Sequence, residues 1–334
     1  MTEAQLNRIS ELFSTNELSF IEQGTVLVET LCTTEEGFRA FISQYGKVEL
    51  TAEPSLEQMI ALFENAEAPE LIDIVNYLGL WALGYLAQWC PAIVERTTAI
   101  DFRGNGWGKL PDSIGFLTGV TYGYLQANHL TCLPDSFVKL INLKRLQITG
   151  NPLTHLPPDF GLLTNLETLI LDANGSELYT LPESIGQLVN LKKLSIRSGN
   201  LRRLPDSICA LTRLQDVDLY WNELTQLPEN IGELTAVESL GLGSNQLTCL
   251  PESIGDLRAL TSVDFNGNQL TEIPGSVSGW DSILYAFFTG NQLQTLPDSM
   301  AGLTTLSEVY VENNPMTVDE IQRLKLLFGD KLML

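Results

Sequence analysis

Histidine is almost missing: His129 and His155 are the only two among 334 residues. Both follow asparagine turns, and no cysteine or carboxylate cluster with metal-ligand spacing accompanies them. A histidine-based active site or metal centre therefore has no carrier. Cysteine is sparse and scattered: Cys32, Cys90, Cys132, Cys209 and Cys249 are odd in number and form no CxxC pair. This usage fits reduced thiols in a cytoplasm better than a disulfide framework. Positive charge is scarce too, with 19 Lys and Arg against 41 Asp and Glu, a net charge of −22. Such a field repels phosphate backbones and anionic lipid, so neither nucleic acid nor a membrane surface is expected as a partner. The start, Met1-Thr2-Glu3-Ala4-Gln5, lacks a basic and then apolar leader, so a cytoplasmic location is expected. Long apolar runs are absent with one exception, Ile74 to Val94, which carries no charge. Asn76, Gln88 and Pro91 interrupt it, Gly79 and Gly84 weaken a continuous helix, and no basic flank orients it. It reads as a buried helical segment rather than a bilayer span. Phosphate-loop and kinase signatures are also missing: Gly104-Asn105-Gly106-Trp107-Gly108-Lys109 lacks the required spacing. No catalytic residue, cofactor or metal ligand is assigned.

What is present is repetition. Prolines preceded by Leu or Ile fall at 111, 134, 157, 182, 205, 228, 251, 274 and 297, every interval being 23 residues except one of 25. An apolar residue follows three positions after each proline, as at Ile114 and Ile254, and another six positions after, as at Leu117 and Leu257. An alternating stretch LxxLxLxxN comes next, clean in Leu143, Leu146, Ile148 and Asn151. Alternation over LxL predicts a short strand with one face in a core. Strands stacked in parallel at about 4.8 Å would build a face on the order of 45–50 Å long from ten repeats. The asparagine can bond backbone as the chain leaves the strand, and a ladder is predicted through Asn105, Asn128, Asn151, Asn174, Asn222, Asn245, Asn268, Asn291 and Asn314. The proline suits the first turn of a short helix on the far side. The acidic residue that usually follows it, as at Asp112 and Glu252, suits the dipole of such a helix. Much of the acidity is then structural.

This pattern resembles the leucine-rich repeat over residues 97–316. The 23-residue form is similar to that of plant intracellular Ras-group-related leucine-rich-repeat proteins, animal Ras-pathway scaffolds and bacterial Roco proteins. The resemblance implies an α/β solenoid, a right-handed horseshoe with a parallel sheet on its concave face. It implies a protein partner, with a small GTPase or its regulator as one class. The cysteine clusters with which extracellular members often close their ends are lacking. An alternative is a non-enzymatic bacterial effector acting in a host cell. Some such effectors carry an attached ubiquitin-ligase domain, for which no residues remain here.

Three regions are expected. Residues 1–96 carry 15 acidic and 4 basic side chains and read as an α-helical N-terminal capping or interaction domain, with capping boxes at Ser14/Glu17 and Thr33/Glu36. Residues 97–316 form the solenoid of about ten repeats. Residues 317–334 read as a C-terminal capping helix opened by Thr317/Glu320 and covering the last repeat with Ile321, Leu324 and Phe328. Strand positions outside the core point to the concave face, where binding energy concentrates in aromatics and arginines. The candidate partner-binding residues are Tyr122, Tyr124, Arg145, Lys193, Arg197, Asp218, Tyr220, Trp221, Tyr285, Phe287 and Tyr310. The single break in period lies beside Lys192, Lys193, Arg197, Arg202, Arg203 and Arg213. This basic island either meets an acidic partner or pairs with neighbours such as Asp172, Asp216 and Asp218.

Overall fold

The computed structural model describes residues 97–173 and 177–334. The helical reading of residues 1–96, and Asn174 of the expected ladder, lie outside them. The chain divides into two compact units, the larger holding residues 101–115 and 120–334. The larger unit is a repeat solenoid.

Ten three-residue strands are spaced by the sequence repeat. They are β1 (Ala99–Asp101), β2 (Tyr122–Tyr124), β3 (Arg145–Gln147), β4 (Thr168–Ile170), β5 (Lys193–Ser195), β6 (Asp216–Asp218), β7 (Ser239–Gly241), β8 (Ser262–Asp264), β9 (Tyr285–Phe287) and β10 (Glu308–Tyr310). An eleventh, β11 (Leu332–Met333), follows the C-terminal helix, and the sheet runs in chain order from β1 to β11. Neighbours pair in parallel, with Tyr122 opposite Arg145 and Asp216 opposite Ser239. The 25-residue repeat does not disturb this: Thr168 still pairs with Lys193. The two extra residues therefore fall outside the strands, because a slip of one would turn every core leucine out to solvent.

Each of the ten repeat strands buries its central residue, as at Leu146, Leu169 and Val263, together with the apolar residue two further on, an aliphatic one or a phenylalanine. The two residues flanking the centre are left on the concave face. On the opposite side each repeat makes a short 3₁₀ turn, such as Asp135–Lys139 or Glu252–Asp256. The proline does not occupy the first turn as expected. It stands one residue outside, in extended conformation at Pro134 and Pro251, and its carbonyl accepts the N–H three residues on, from Phe137 and Ile254. Its fixed φ suits both positions, but only the extended one leads the chain out of the preceding segment. The acidic residues that follow are exposed. A five-residue turn carries little dipole, so the expected electrostatic role shrinks accordingly.

A glycine in several of these turns is dictated by contact. A Cβ on Gly161 would lie 1.9 Å from the carbonyl oxygen of Ser184, and one on Gly255 would lie 2.0 Å from that of Ser276. Adjacent turns touch backbone to backbone there. Elsewhere the core adapts by side chain. Trp280 takes a leucine position, is fully buried, and donates its indole N–H to the Ile254 carbonyl at 2.8 Å, which satisfies its one polar atom.

The C-terminal end is closed by α1 (Val318–Phe328). Thr317 caps it, its hydroxyl accepting from the Glu320 N–H at 3.2 Å. Leu324 and Phe328 are buried, while Ile321 is only half-buried. The region is thus more than a helix, since β11 continues the sheet with Leu332 opposite Val309 and occupies the edge that β10 would otherwise expose. Among the described residues no helix is long and apolar enough to cross a membrane. The uncharged run at 74–94 lies outside them.

Candidate partner-binding face

The face is held by the row of asparagines beside it. Asn245 is typical: its Oδ1 accepts from the Leu224 N–H at 3.0 Å, and its Nδ2 donates to the carbonyls of Leu219 and Leu242 at 2.9 and 3.0 Å. Asn128, Asn151, Asn222, Asn268, Asn291 and Asn314 repeat this arrangement. Each side chain ties two successive repeats and satisfies backbone groups that a tight turn would leave buried and unpaired. Where Gly199 replaces the asparagine, its own N–H donates to Asn222 at 3.1 Å.

The residue just before each ladder position has positive φ. Gly104, Ala127, Gly150, Ala173, Ser198, Trp221, Ser244, Gly267, Gly290 and Asn313 fill these positions. Nine are glycine, alanine, serine or asparagine; glycine and asparagine are the types this conformation tolerates best, and a bulky side chain is an outlier there. Trp221 is the exception, with φ +55 and its side chain 57% exposed.

The expected face residues fall into three groups. At one end Tyr122 stands opposite Arg145 in register, and the Arg103 guanidinium lies 5.7 Å from the Tyr124 ring centre. Arg145 keeps its Nε buried without a hydrogen-bond partner. In the middle, Lys193 pairs with Asp216, and Arg197 pairs with Asp218 while lying 5.8 Å from the Tyr220 ring centre. Tyr220 and Trp221 meet at 5.9 Å. At the far end Tyr285, Phe287 and Tyr310 stack, Phe287 and Tyr310 at 4.7 Å and nearly parallel. The Tyr310 hydroxyl donates to Glu308 at 2.5 Å.

These contacts decide what became of the basic island. Besides those two pairs, Lys192 pairs with Glu167 at 2.7 Å, and Arg202 pairs with Glu223 at 3.0 Å while covering Tyr179. Four of its six cations are answered by carboxylates of neighbouring strands and loops, so much of its charge is cancelled within the fold. Exposed pairs of this kind add little stability, but they leave the face electrically divided. From β1 to β5 it presents Asp101 and Asp172 against Arg103, Arg145, Lys193 and Arg197. From β6 to β10 it presents Asp216, Asp218, Asp264, Glu308 and Glu312 and no cation. Asp264, Glu308 and Glu312 make hydrogen bonds but no ion pair among the described residues.

One feature escaped the sequence reading. Strand β7 and its exit are bare, carrying Gly241 and Gly243 beside Ser239 where other repeats place larger side chains at the glycine positions. The Tyr220 ring lies flat on it: a Cβ on Gly243 would come within 2.3 Å of the ring and one on Gly241 within 2.7 Å. Burial there, joined by a hydrogen bond to Asp264, pushes the Tyr220 phenol well above its ordinary pKa. The result is a depression of about 210 Å³ with Ser239, Gly241 and Ser262 along its floor and Arg197, Asp216, Asp218, Asp264, Tyr220 and Phe287 around it. The signal was legible as Gly-Leu-Gly in a repeat series that otherwise alternates leucine with larger residues.

His129 and His155 are exposed in loops, and among the described residues no group of His, Cys, Asp and Glu is placed to hold a metal. Cys132, Cys209 and Cys249 are free thiols. Burial raises the Cys209 thiol to about 11, which keeps it protonated near neutrality.

Comparison with known proteins agrees on architecture. The family model "Leucine Rich Repeat" matches residues 142–163. No curated protein matches the chain significantly. Among solved structures, a plant peptide hormone receptor, RGFR1, in complex with RGF2 is 30% identical with a TM-score of 0.60, over 67% of this chain and 37% of that one. The Toll–Spatzle complex of Drosophila matches at 22% identity and TM-score 0.58, over 70% and 36%. The ectodomain of the Arabidopsis thaliana membrane receptor kinase GASSHO1/SCHENGEN3, in complex with CASPARIAN STRIP INTEGRITY FACTOR 2, matches at 25% and 0.51, over 70% and 32%. The matched region thus spans about a third of each of these larger chains. Repeat length, parallel sheet, asparagine ladder and these likenesses make the described body a leucine-rich-repeat solenoid.

Proposed function

We propose that this chain is a non-catalytic protein-interaction scaffold that binds a protein partner on the concave face of its repeats, in intracellular signalling. Trp221 carries this reading. The fold favours a small residue or asparagine at that position in every repeat, and nine of ten comply. A bulky side chain in the left-handed region costs on the order of 1 kcal/mol. Here it obtains only partial burial in return, since the residue stays 57% exposed with the Tyr220 ring as its aromatic neighbour. Residues held against local preference cluster at sites of function, and tryptophan is the side chain most enriched among binding hot spots. Tyr220, fixed on the glycine floor, gives it a rigid neighbour. Receptors of similar fold have been captured with ligands, RGFR1 with RGF2 and GASSHO1/SCHENGEN3 with CASPARIAN STRIP INTEGRITY FACTOR 2, which supports a protein or peptide partner here. The repeat form favours a small GTPase or its regulator in the cytoplasm as the partner class to test first.

Affinity capture from native lysate tests this. Wild type and an Arg197→Asp/Trp221→Ala variant are compared after their melting temperatures are matched. A partner retained by wild type and lost by the folded variant is the expected outcome. Identical capture by both would sink the reading.

A further inference from the structure

The C-terminal end differs from the rest of the chain in charge. Residues 317–334 hold three carboxylates, Asp319, Glu320 and Asp330, and three cations, Arg323, Lys325 and Lys331. The net charge of −22 therefore lies wholly on the residues before them. Two copies of this chain repel one another over most of their surface, and this end is where they can approach without net repulsion.

Helix α1 has an inner and an outer face. Leu324 and Phe328 are buried on the inner one. Along the flank Glu320 pairs with Arg323 at 2.7 Å, and Arg323 also pairs with Asp298. The outer face presents Val318, Asp319, Gln322, Lys325 and Leu326, all exposed, with Val318 at 71% and Leu326 at 90%. Among the described residues the side chains of Asp319 and Lys325 have no hydrogen-bond or ion-pair partner.

These five positions are symmetric about Gln322. Val318 and Leu326 lie four residues to either side, about 40° round the helix in opposite senses and about 6 Å away along its axis. Asp319 and Lys325 lie three residues to either side, about 60° round in opposite senses and about 4.5 Å away. Such a face is complementary to itself. A twofold axis at Gln322 sets the apolar pair of one copy on the apolar pair of the other. When the two helices cross steeply in one sense, Asp319 of each copy falls on Lys325 of the other. Crossing in the opposite sense sets like charges together, so the charges select one packing. The exposed Leu326 leaves water in that contact, which favours it.

We propose that α1 pairs with α1 of a second copy, crossing at Gln322 in a twofold dimer held by Val318 and Leu326 and oriented by Asp319 and Lys325. One helix face is small for a specific interface, so the association is weak, on the order of tens of micromolar. The contact leaves the concave face of each copy open. The dimer is therefore bivalent, and a partner that presents its binding surface twice is held more tightly by it than by a single chain.

Sedimentation velocity of the full chain over about 1–300 µM tests this, at about 0.15 M salt to screen the general repulsion. Wild type is expected to pass from monomer to dimer across that range. Leu326→Lys, at a 90% exposed position, should keep the wild-type melting temperature and stay monomeric throughout. Asp319→Lys sets lysine against lysine and should weaken the dimer about tenfold or more, the scale of one well-placed charge pair. Asp319→Lys/Lys325→Glu exchanges the two signs and should restore it, because opposite charges again meet across the axis. Val189→Lys, 52% exposed on a turn of another repeat, should leave the dimer unchanged. A wild-type chain that is monomeric at every concentration overturns the proposal. So does a dimer that survives Leu326→Lys, one that Val189→Lys dissolves equally, or a loss in Asp319→Lys that the exchange of signs fails to repair.

Discussion

Two rows of residues run side by side along this solenoid and obey opposite rules. The ladder row reads asparagine at 128, 151, 222, 245, 268, 291 and 314, each with the same bonds to the same kinds of backbone atom. The face row, at the last residue of each strand, reads Tyr124, Gln147, Ile170, Ser195, Asp218, Gly241, Asp264, Phe287 and Tyr310, with no two neighbours alike. Both rows share one spacing and one sheet. They differ in access to water. Buried N–H and carbonyl groups admit very few solutions, so the ladder converges on one residue. Most face positions keep some access to water, Ser195 and Gly241 being the buried ones, and such a position imposes less on folding, so its residue is freer to be chosen for something else. In a repeat protein, sameness marks what holds the fold and difference marks what the fold is used for.

The largest expected effect attacks the ladder. Asn245→Ala removes the acceptor for the Leu224 N–H and the donor to the Leu219 and Leu242 carbonyls. Leaving these buried groups unpaired should cost roughly 2–4 kcal/mol, read as a lower midpoint in urea unfolding. A loss under about 0.5 kcal/mol would put the ladder and the face on the same footing. Next comes the turn glycine. Gly255→Ala places a Cβ 2.0 Å from a backbone oxygen, whereas Gly302→Ala meets nothing within 4 Å. The first should lose about 1–3 kcal/mol by overpacking and the second should be near neutral, compared by the same unfolding assay.

Trp221 tests the face row. Trp221→Asn suits the positive φ better and should leave stability unchanged or raise it by up to about 1 kcal/mol, while partner capture is lost. A variant that is destabilised and still binds would move Trp221 from the face row to the structural one. The smallest effect concerns the C-terminal closure. Glu320, hydrogen-bonded by Arg323 and by the Thr295 hydroxyl, has its carboxyl held below the ordinary value of 4.5. A depressed carboxylate contributes stability that is fully present above its unfolded-state value and is lost as pH falls through its folded one. Amide exchange in α1 should therefore quicken below about pH 4.5 in wild type and show a flatter acid dependence in Glu320→Gln. A profile unchanged by the substitution would detach α1 from this ion pair.

Much of the fold was legible because its repeat is long and strict. The strand centres, seven of the nine expected ladder asparagines and the Thr317 cap followed from spacing, while the Glu320 side chain bonds Arg323 and Thr295. The turn chemistry was less so, because a proline's fixed φ fits both a first helical turn and the extended residue before it. β11 was hidden because Leu332 and Met333 carry no repeat spacing and are recruited only by the open edge beside Val309. On the face, each candidate residue was nameable from its place beside a core leucine, and its company was not. Spacing alone does not distinguish Arg197 from Trp221, yet Arg197 is engaged with Asp218 while Trp221 keeps 57% of its surface exposed beside Tyr220. Gly241 and Gly243 give no chemical signal in the sequence, because a missing side chain carries no chemistry until neighbours surround it.

The sequence by itself determined the period, the parallel stacking and the burial of one aliphatic stripe, since each depends on residues near in the chain and on hydrophobic alternation. Only the tertiary structure decided which charges cancel, where the face turns acidic, and that Tyr220 lies across bare glycines. Those outcomes depend on side chains 21 or more residues apart, such as Arg197 and Asp218, meeting across strands, and stacking alone brings them within reach.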